Sequence, residues 1–394
     1  MSHLPTTLQS PNLVRTNDIV ATYIVRSRDL DKAAAAIAIG QSLGNPSVRL
    51  KAETKEMWDR FGAIVRNVKP HGDGLGVITI GYAVGNQTPR SFTHLLAVLM
   101  GGQMDIDLIE DCRLVDLEFP ADIVKQYRGP SKGIEGIRAY TGARNRPLVG
   151  GIVKPKTGIT PDQVADVCKR MADGGIDFIK DDEILGDILT CSFATRIEKV
   201  SRALEGYNVI YAPCVTSPID EFPNVAAQIK RVMQPPAFHY NVWGGFDSYQ
   251  YLASLVGGFA YYQKSGDKVV TEGKFSIDFS VWCKFIRLAG ADVTHAGMLG
   301  GYLNEPLEVM KARLMSLSGP WHGLRSTLPS LSCGATPGMV PKIIEQLGVD
   351  VMIASGGCLH AHPDGSYGGA KAFRDAAEGK SSKELDIAIE KFGR

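Results

Sequence analysis

Leu148-Val149-Gly150-Gly151-Ile152-Val153-Lys154-Pro155-Lys156 is a short apolar run that stops on two lysines straddling a proline. Downstream, Gly174-Gly175-Ile176-Asp177-Phe178-Ile179-Lys180-Asp181-Asp182-Glu183 repeats the pattern: glycine, a run of strand length, then charge. Six further runs follow at Asn208–Ala212, Ala237–Asn241, Gly258–Tyr262, Asp292–His295, Leu328–Ser332 and Asp350–Ala354. Amphipathic stretches lie between them, among them Pro161–Asp173, Ile219–Met233, Ile277–Leu288 and Met339–Leu347. Nearly continuous apolar runs suit strands buried on both faces, and the helical periods between them suit crossovers. Eight such units predict a C-terminal (β/α)8 (TIM) barrel over residues 131–394. Chemistry in that architecture gathers where strands end, so the candidates stand at or just past the end of each run.

Upstream the order is different. Residues 1–16 are polar and read as a loose arm. Asp18–Val25 alternates like a strand. Asp29 is a plausible N-cap for an Ala-rich helix over Leu30–Leu43, with Gly44 beyond its end. Residues 62–70 and 75–84 read as strands joined by His71-Gly72-Asp73-Gly74, a second helix covers 91–101, and Cys112–Phe119 is another strand. This order predicts an α+β ferredoxin-like domain over residues 1–130. Gly72-Asp73-Gly74-Leu75-Gly76 lacks the helix that a phosphate loop requires and reads as a hairpin turn.

Composition narrows the function. Among 394 residues, 43 Lys plus Arg balance 42 Asp plus Glu, for a net charge of +1. That excludes nucleic-acid binding by bulk charge. No apolar run approaches the ~18–20 residues that span a bilayer, and the start, MSHLPTTLQSPNLVR, has no signal core. The seven cysteines are odd in number, scattered and without a CxxC. They read as free thiols in a reducing cytoplasm.

The strand ends carry the candidate chemistry. Lys154 and Lys156 are two cations at the first, suited to an oxyanion or to proton transfer if desolvated. At the second, Lys180 and Asp182 share a strand face and Glu183 follows as the chain turns. Carboxylates there suit a hard cation such as Mg²⁺. A lysine amine is a poor Mg²⁺ ligand, but carbamylation by CO₂ would make it an oxygen ligand. The sixth run ends at His295-Ala296-Gly297, the seventh at Ser332-Cys333-Gly334, and the eighth continues as Ser355-Gly356-Gly357. Bare backbone N–H groups after the last two strands suit a phosphate. Cys358, His360 and His362 alternate at period two like zinc ligands, but no fourth ligand is evident and a turn follows.

In this order, Gly150–Gly158 and Gly174–Glu183 resemble the Lys-Pro-Lys and metal motifs of the ribulose-bisphosphate carboxylase large chain, and more closely the RuBisCO-like proteins. The resemblance covers roughly residues 18–380. It implies that Lys180 carries the CO₂-derived carbamate and binds Mg²⁺ together with Asp182 and Glu183. It implies that Lys154 handles the enolisation proton with Lys156 as its neighbour, and that His295 and Ser332 lie near one phosphate. Gly334, Gly356 and Gly357 would donate backbone N–H groups to the other. It also implies a homodimer with shared active sites, in which Gln41–Asn45 and Thr93-His94 complete the partner's barrel mouth; Asn45 and His94 are the candidate contacts.

Departures from the carboxylase pattern bear on activity. Its Glu-Gln-Ser-x-Gly-Thr-Trp is here Gly40–Pro46, without the acid and the phosphate-binding Thr. His94 replaces an Asn. The basic stretch after strand five is Phe259–Lys264, which loses an Arg that grips phosphate. Its strand-six-loop lysine falls at Tyr302. The resemblance therefore implies a Mg²⁺-dependent lyase or isomerase that does not fix CO₂ and acts through an enediolate on a phosphorylated keto-sugar or keto-acid. The favoured substrate is 3-oxo-isoapionate 4-phosphate. The alternatives are enolisation of 2,3-diketo-5-methylthiopentyl-1-phosphate, whose enzymes have a lysine where Gly102 stands and lack Lys156, and isomerisation of 5-methylthioribulose-1-phosphate. A non-catalytic stress or redox scaffold is disfavoured by the intact Lys180, Asp182 and Glu183, since charge buried without a metal is costly.

Overall fold

The computed structural model describes residues 15–393. The chain divides into two compact units. The first takes the described residues up to Tyr127 together with Gly266–Phe285, and the second takes Arg128–Ser265 and the chain from Ile286 onward.

In the first unit, β1 (Asp18–Arg26) buries Ile19, Ala21, Tyr23 and Val25 on one face. The next strands are β2 (Ile64–Gly72), β3 (Leu75–Ala83) and β4 (Asp111–Glu118). They pair antiparallel in the order β4-β1-β3-β2, the ferredoxin-like arrangement. The β2–β3 turn is the predicted hairpin, with positive φ at Gly72, Asp73 and Gly74. The helix Leu30–Gly40 is capped by Asp29, whose carboxylate accepts from Lys32 N at 3.0 Å. It stops before Leu43 because the chain turns there: Ser42 Oγ takes the Ala38 carbonyl and Gly44 N takes that of Ile39. A short helix, Lys55–Phe61, had no counterpart in the sequence reading.

The second unit holds eight parallel strands: β5 (Leu148–Ile152), β6 (Phe178–Lys180), β7 (Ile210–Ala212), β8 (Ala237–Asn241), β9 (Phe259–Gln263), β11 (Val293–Gly297), β12 (Leu328–Leu331) and β13 (Met352–Ser355). Between β9 and β11 in the chain comes β10 (Phe275–Ile277), which belongs to the first unit. The sheet runs β7-β6-β5-β13-β12-β11-β9-β8, and a parallel bridge between Cys214 and His239 closes it. All eight predicted runs are strands. Helices such as Pro161–Asp173, opened by a Thr160/Gln163 capping box, connect them. Glycine in β5 is a packing requirement: a Cβ on Gly150 would stand 2.9 Å from Ala354 Cβ, and one on Gly151 2.4 Å from Met171 Sδ. The interior is filled by residues such as Phe178, His239 and Tyr261, with rings about 6 Å apart.

A single boundary near residue 130 is corrected by β10. It pairs parallel with β4, Phe275 opposite Cys112, and places Gly266–Phe285 in the first unit. A three-residue strand has no periodicity to read; only the open edge of β4 defines it, through Cys112 N to Lys274 O and Asp278 N to Leu114 O, each 2.8 Å. Among the described residues no helix is long and apolar enough to cross a membrane.

Candidate active site

Strand parity divides the charges at the end of β6. Asp181 is fully buried and accepts from Arg196 Nε (3.0 Å), the Tyr211 hydroxyl (2.7 Å) and Cys214 N (3.0 Å). Burial pushes its carboxyl up, and these donors oppose that. It is a structural anchor. Lys180 and Asp182 take the other face. The Lys154 ammonium, at the end of β5, is ion-paired with Asp182 Oδ2. Lys180 is buried with its Nζ 3.8 Å from Glu183 Oε2, 3.0 Å from the Asp181 carbonyl and 5.5 Å from the centre of the Tyr261 ring. Burial lowers its affinity for a proton, although Glu183 and Asp182 oppose the shift. Glu183 is held below its ordinary range: burial would raise it, but Lys180 and the Ser265 hydroxyl, 2.7 Å from Oε1, outweigh that. Ser265 in turn accepts from Gln263 Nε2 at 2.6 Å.

Across the barrel, His295 is buried and its Nε2 lies 3.3 Å from Cys333 Sγ. Burial, then the cations Lys264, Lys180 and Arg313, push its imidazole far below the ordinary value, so the ring is neutral. Ser332 N donates to the Gly297 carbonyl at 3.2 Å, and its hydroxyl lies 4.0 Å from Cys333 Sγ. Gly334 has φ +99°, and a Cβ there would stand 2.6 Å from Tyr302 N. Gly356 leaves room for Lys154, whose Cε would lie 2.9 Å from an added Cβ, and Gly357 begins a short helix with open space where a side chain would be.

Lys154, Lys180, Asp182 and Glu183 therefore come together. Lys156 is exposed and makes no ion pair among the described residues. Asn45 and His94 belong to the first unit, where Asn45 Oδ1 accepts from Ser47 N and His94 Nδ1 from Thr88 N. The zinc alternative does not survive. Gly357–His360 is helical, so period two does not gather the ligands, and His360 is bound to the Ile152 carbonyl and Ser366 while His362 meets the Glu384 carbonyl and Asp364 N. Sequence reasoning missed Lys264, which is 8 % exposed and within electrostatic reach of His295. Its place directly after an apolar run was the available signal.

Lysines and carboxylates collected at the strand ends of a parallel barrel, in a chain that also carries a separate ferredoxin-like unit, are the arrangement of a two-unit barrel enzyme class. The chain belongs to the ribulose bisphosphate carboxylase large chain family: the family's catalytic domain matches residues 133–391 and its N-terminal domain residues 10–123. The chain is 29% identical to a ribulose bisphosphate carboxylase of Methanocaldococcus jannaschii, covering 93% of each chain. Among solved structures it is similar to a dimeric archaeal Rubisco from Hyperthermus butylicus, with TM-score 0.87 and 25% identity over 96% of each chain. A rubisco-like protein (MtnW) from Alicyclobacillus acidocaldarius superposes with TM-score 0.85 at 27% identity, over 95% of this chain and 100% of that one.

Proposed function

We propose that this family member is a Mg²⁺-dependent RuBisCO-like enzyme that does not fix CO₂ and acts on 3-oxo-isoapionate 4-phosphate. The reaction is decarboxylation, or carboxyl transfer followed by hydrolysis. One observation carries the reading: the Lys154–Asp182 and Lys180–Glu183 pairs stand together at the strand ends, and Tyr302, 87 % exposed, falls where the resemblance puts a carboxylase's lysine over added CO₂.

The residues at the end of β6 fit a hard cation. Burial favours the neutral amine of Lys180, the form whose nitrogen bonds to the carbon of CO₂ as a proton leaves. A carbamate on Lys180, with Asp182 and Glu183, would give an all-oxygen donor set of the kind Mg²⁺ takes. When bound, Mg²⁺ lowers the cost of negative charge on neighbouring keto and hydroxyl oxygens. Lys154 Nζ, beside Asp182 and half-buried, holds and moves the proton at the reacting carbon or its oxygen. Lys156 lies in the same turn and screens the site's anions. The backbone N–H groups of Gly334, Gly356 and Gly357 bind the phosphate, which orients the substrate. His295, Ser332 and the buried Lys264 receive the second anionic end. A keto acid phosphate has two anionic ends, and the buried Lys264 favours it over a substrate with one. Asn45 and His94 act from the partner of a homodimer, completing its barrel mouth.

The test follows substrate, Mg²⁺ and bicarbonate by NMR with the purified protein. Release of CO₂ identifies a decarboxylase; 3-phosphoglycerate with glycolate identifies carboxyl transfer and hydrolysis. Incorporation of labelled CO₂ into ribulose 1,5-bisphosphate would overturn the proposal. The methionine-salvage reading retains the resemblance of Thr336–Pro341 and His360–Gly369 to the enolases, against Gly102 and Lys156. Turnover of methylthio-sugar phosphates alone would favour it.

A further inference from the structure

Cys333 is unusual on two independent counts. Its φ is +82°, a left-handed backbone that a non-glycine residue keeps only where its surroundings enforce it. They do so here. Leu303 N donates to the Cys333 carbonyl at 3.4 Å, and a Cβ on Gly301 would stand 2.2 Å from that oxygen, so the loop after β11 is closed onto this turn. The strained backbone delivers the thiol to the imidazole, with Sγ 3.3 Å from His295 Nε2. The second count is on the far side of the ring. His295 is 5 % exposed, and its Nδ1 is buried with no hydrogen-bond partner among the described residues. Gln263 Oε1, at the end of β9, is likewise buried and unpartnered. Buried polar atoms left open at strand ends mark where a ligand supplies the missing bonds.

We propose that Cys333 is a positioning residue: its thiol donates to His295 Nε2, fixes the neutral imidazole with its proton on Nδ1, and so presets an N–H donor for an oxygen of the substrate. The open, buried Nδ1 is what selects this polarity, because only an Nδ1–H ring offers a ligand a donor there. A neutral imidazole has one N–H and one lone pair, and a thiol that donates to one nitrogen leaves the proton on the other. The imidazolium is disfavoured by burial and by the cations Lys264 and Arg313. Sulfur to imidazole to ligand then has a single direction: Sγ–H to Nε2, and Nδ1–H to the ligand. The identity of the accepting oxygen rests on the functional reading above, whereas the tautomer needs no substrate.

The test is the imidazole tautomer of the full-length, substrate-free protein labelled with ¹⁵N-histidine, the His295 signals being assigned with His295→Asn. Long-range proton–nitrogen correlations should give the Nδ1–H pattern in the native protein. Cys333→Gly should lose it to a mixed or Nε2–H ring while folding with an unchanged or raised midpoint, because glycine suits φ +82°. Cys333→Ser keeps a donor and should keep the tautomer. An Nε2–H ring in the native protein, or an Nδ1–H ring that persists in Cys333→Gly, overturns the proposal. Either result would stand apart from failure to turn over 3-oxo-isoapionate 4-phosphate, which would refute the functional reading alone.

Discussion

Asp181 and Asp182 are adjacent in sequence, yet removing their charges should have opposite consequences. Asp181→Asn leaves the fully buried Arg196 guanidinium without its carboxylate; the carbonyls of Leu185, Gly186 and Cys191 and the Cys191 sulfur, none of them charged, remain around it. Breaking a buried ion pair from one side costs about 3–5 kcal/mol. Unfolding entropy of about 2.1 cal/mol/K per residue, over the roughly 250 residues of the barrel unit, converts 1 kcal/mol to about 2 °C. The midpoint should therefore fall by about 6–10 °C in EDTA-treated protein followed by calorimetry. Asp182→Asn removes a pair with the part-exposed Lys154 while its amide oxygen can still accept from Ile184 N, and should move the midpoint by about 2 °C or less. It should nevertheless abolish Mg²⁺ binding in a calorimetric titration with bicarbonate present. A shift under about 2 °C for Asp181→Asn, or an equal loss in both variants, would refute the division of roles between neighbouring carboxylates.

Other outcomes follow from the same geometry. Lys180→Ala should eliminate Mg²⁺-dependent turnover because no carbamate can form; undiminished activity would remove it from the metal set. Gly356→Ala should keep the midpoint within about 2 °C but displace the flexible end of Lys154, lowering kcat/KM by about 10–100-fold. Heterodimers of Asn45→Ala and Lys180→Ala chains should recover one of two sites, about half the native activity, if the mouth is completed by the partner. No recovery would place each site within one chain. Asp292 is buried and its carboxyl is raised to about 6 by burial, against the N–H groups of Gly133, Lys132 and Ala260. With an unfolded value near 3.9, the folded state holds the extra proton between the two. Stability from this group is then full below about pH 4 and declines by about 3 kcal/mol as pH rises through 6. Urea unfolding at pH 4.5 and 6.5 should show this slope and its flattening in Asp292→Asn.

Some of the site was open to reading along the chain, and some was not. The eight barrel runs were legible because burial on both faces makes a strand continuously apolar, and candidates at their ends followed from chain direction alone. Parity even separates Asp181 from Asp182, since alternate residues leave a strand on opposite faces. The period-two reading of Cys358, His360 and His362 failed for the matching reason: Gly357–His360 is a helix, and alternation has meaning only on a strand.

By itself the sequence determined the order of the eight barrel strands and the set of charges at their ends, because these follow from periodicity and from position along the chain. Only the tertiary structure decided which charges meet. Lys156 and Lys264 each follow an apolar run, but one is exposed and the other is buried within reach of His295. The pairing of β10 with β4 and the approach of Cys333 to His295 were likewise invisible. Both depend on elements remote in the chain: a free sheet edge in one case, and in the other a loop that holds a cysteine backbone at positive φ.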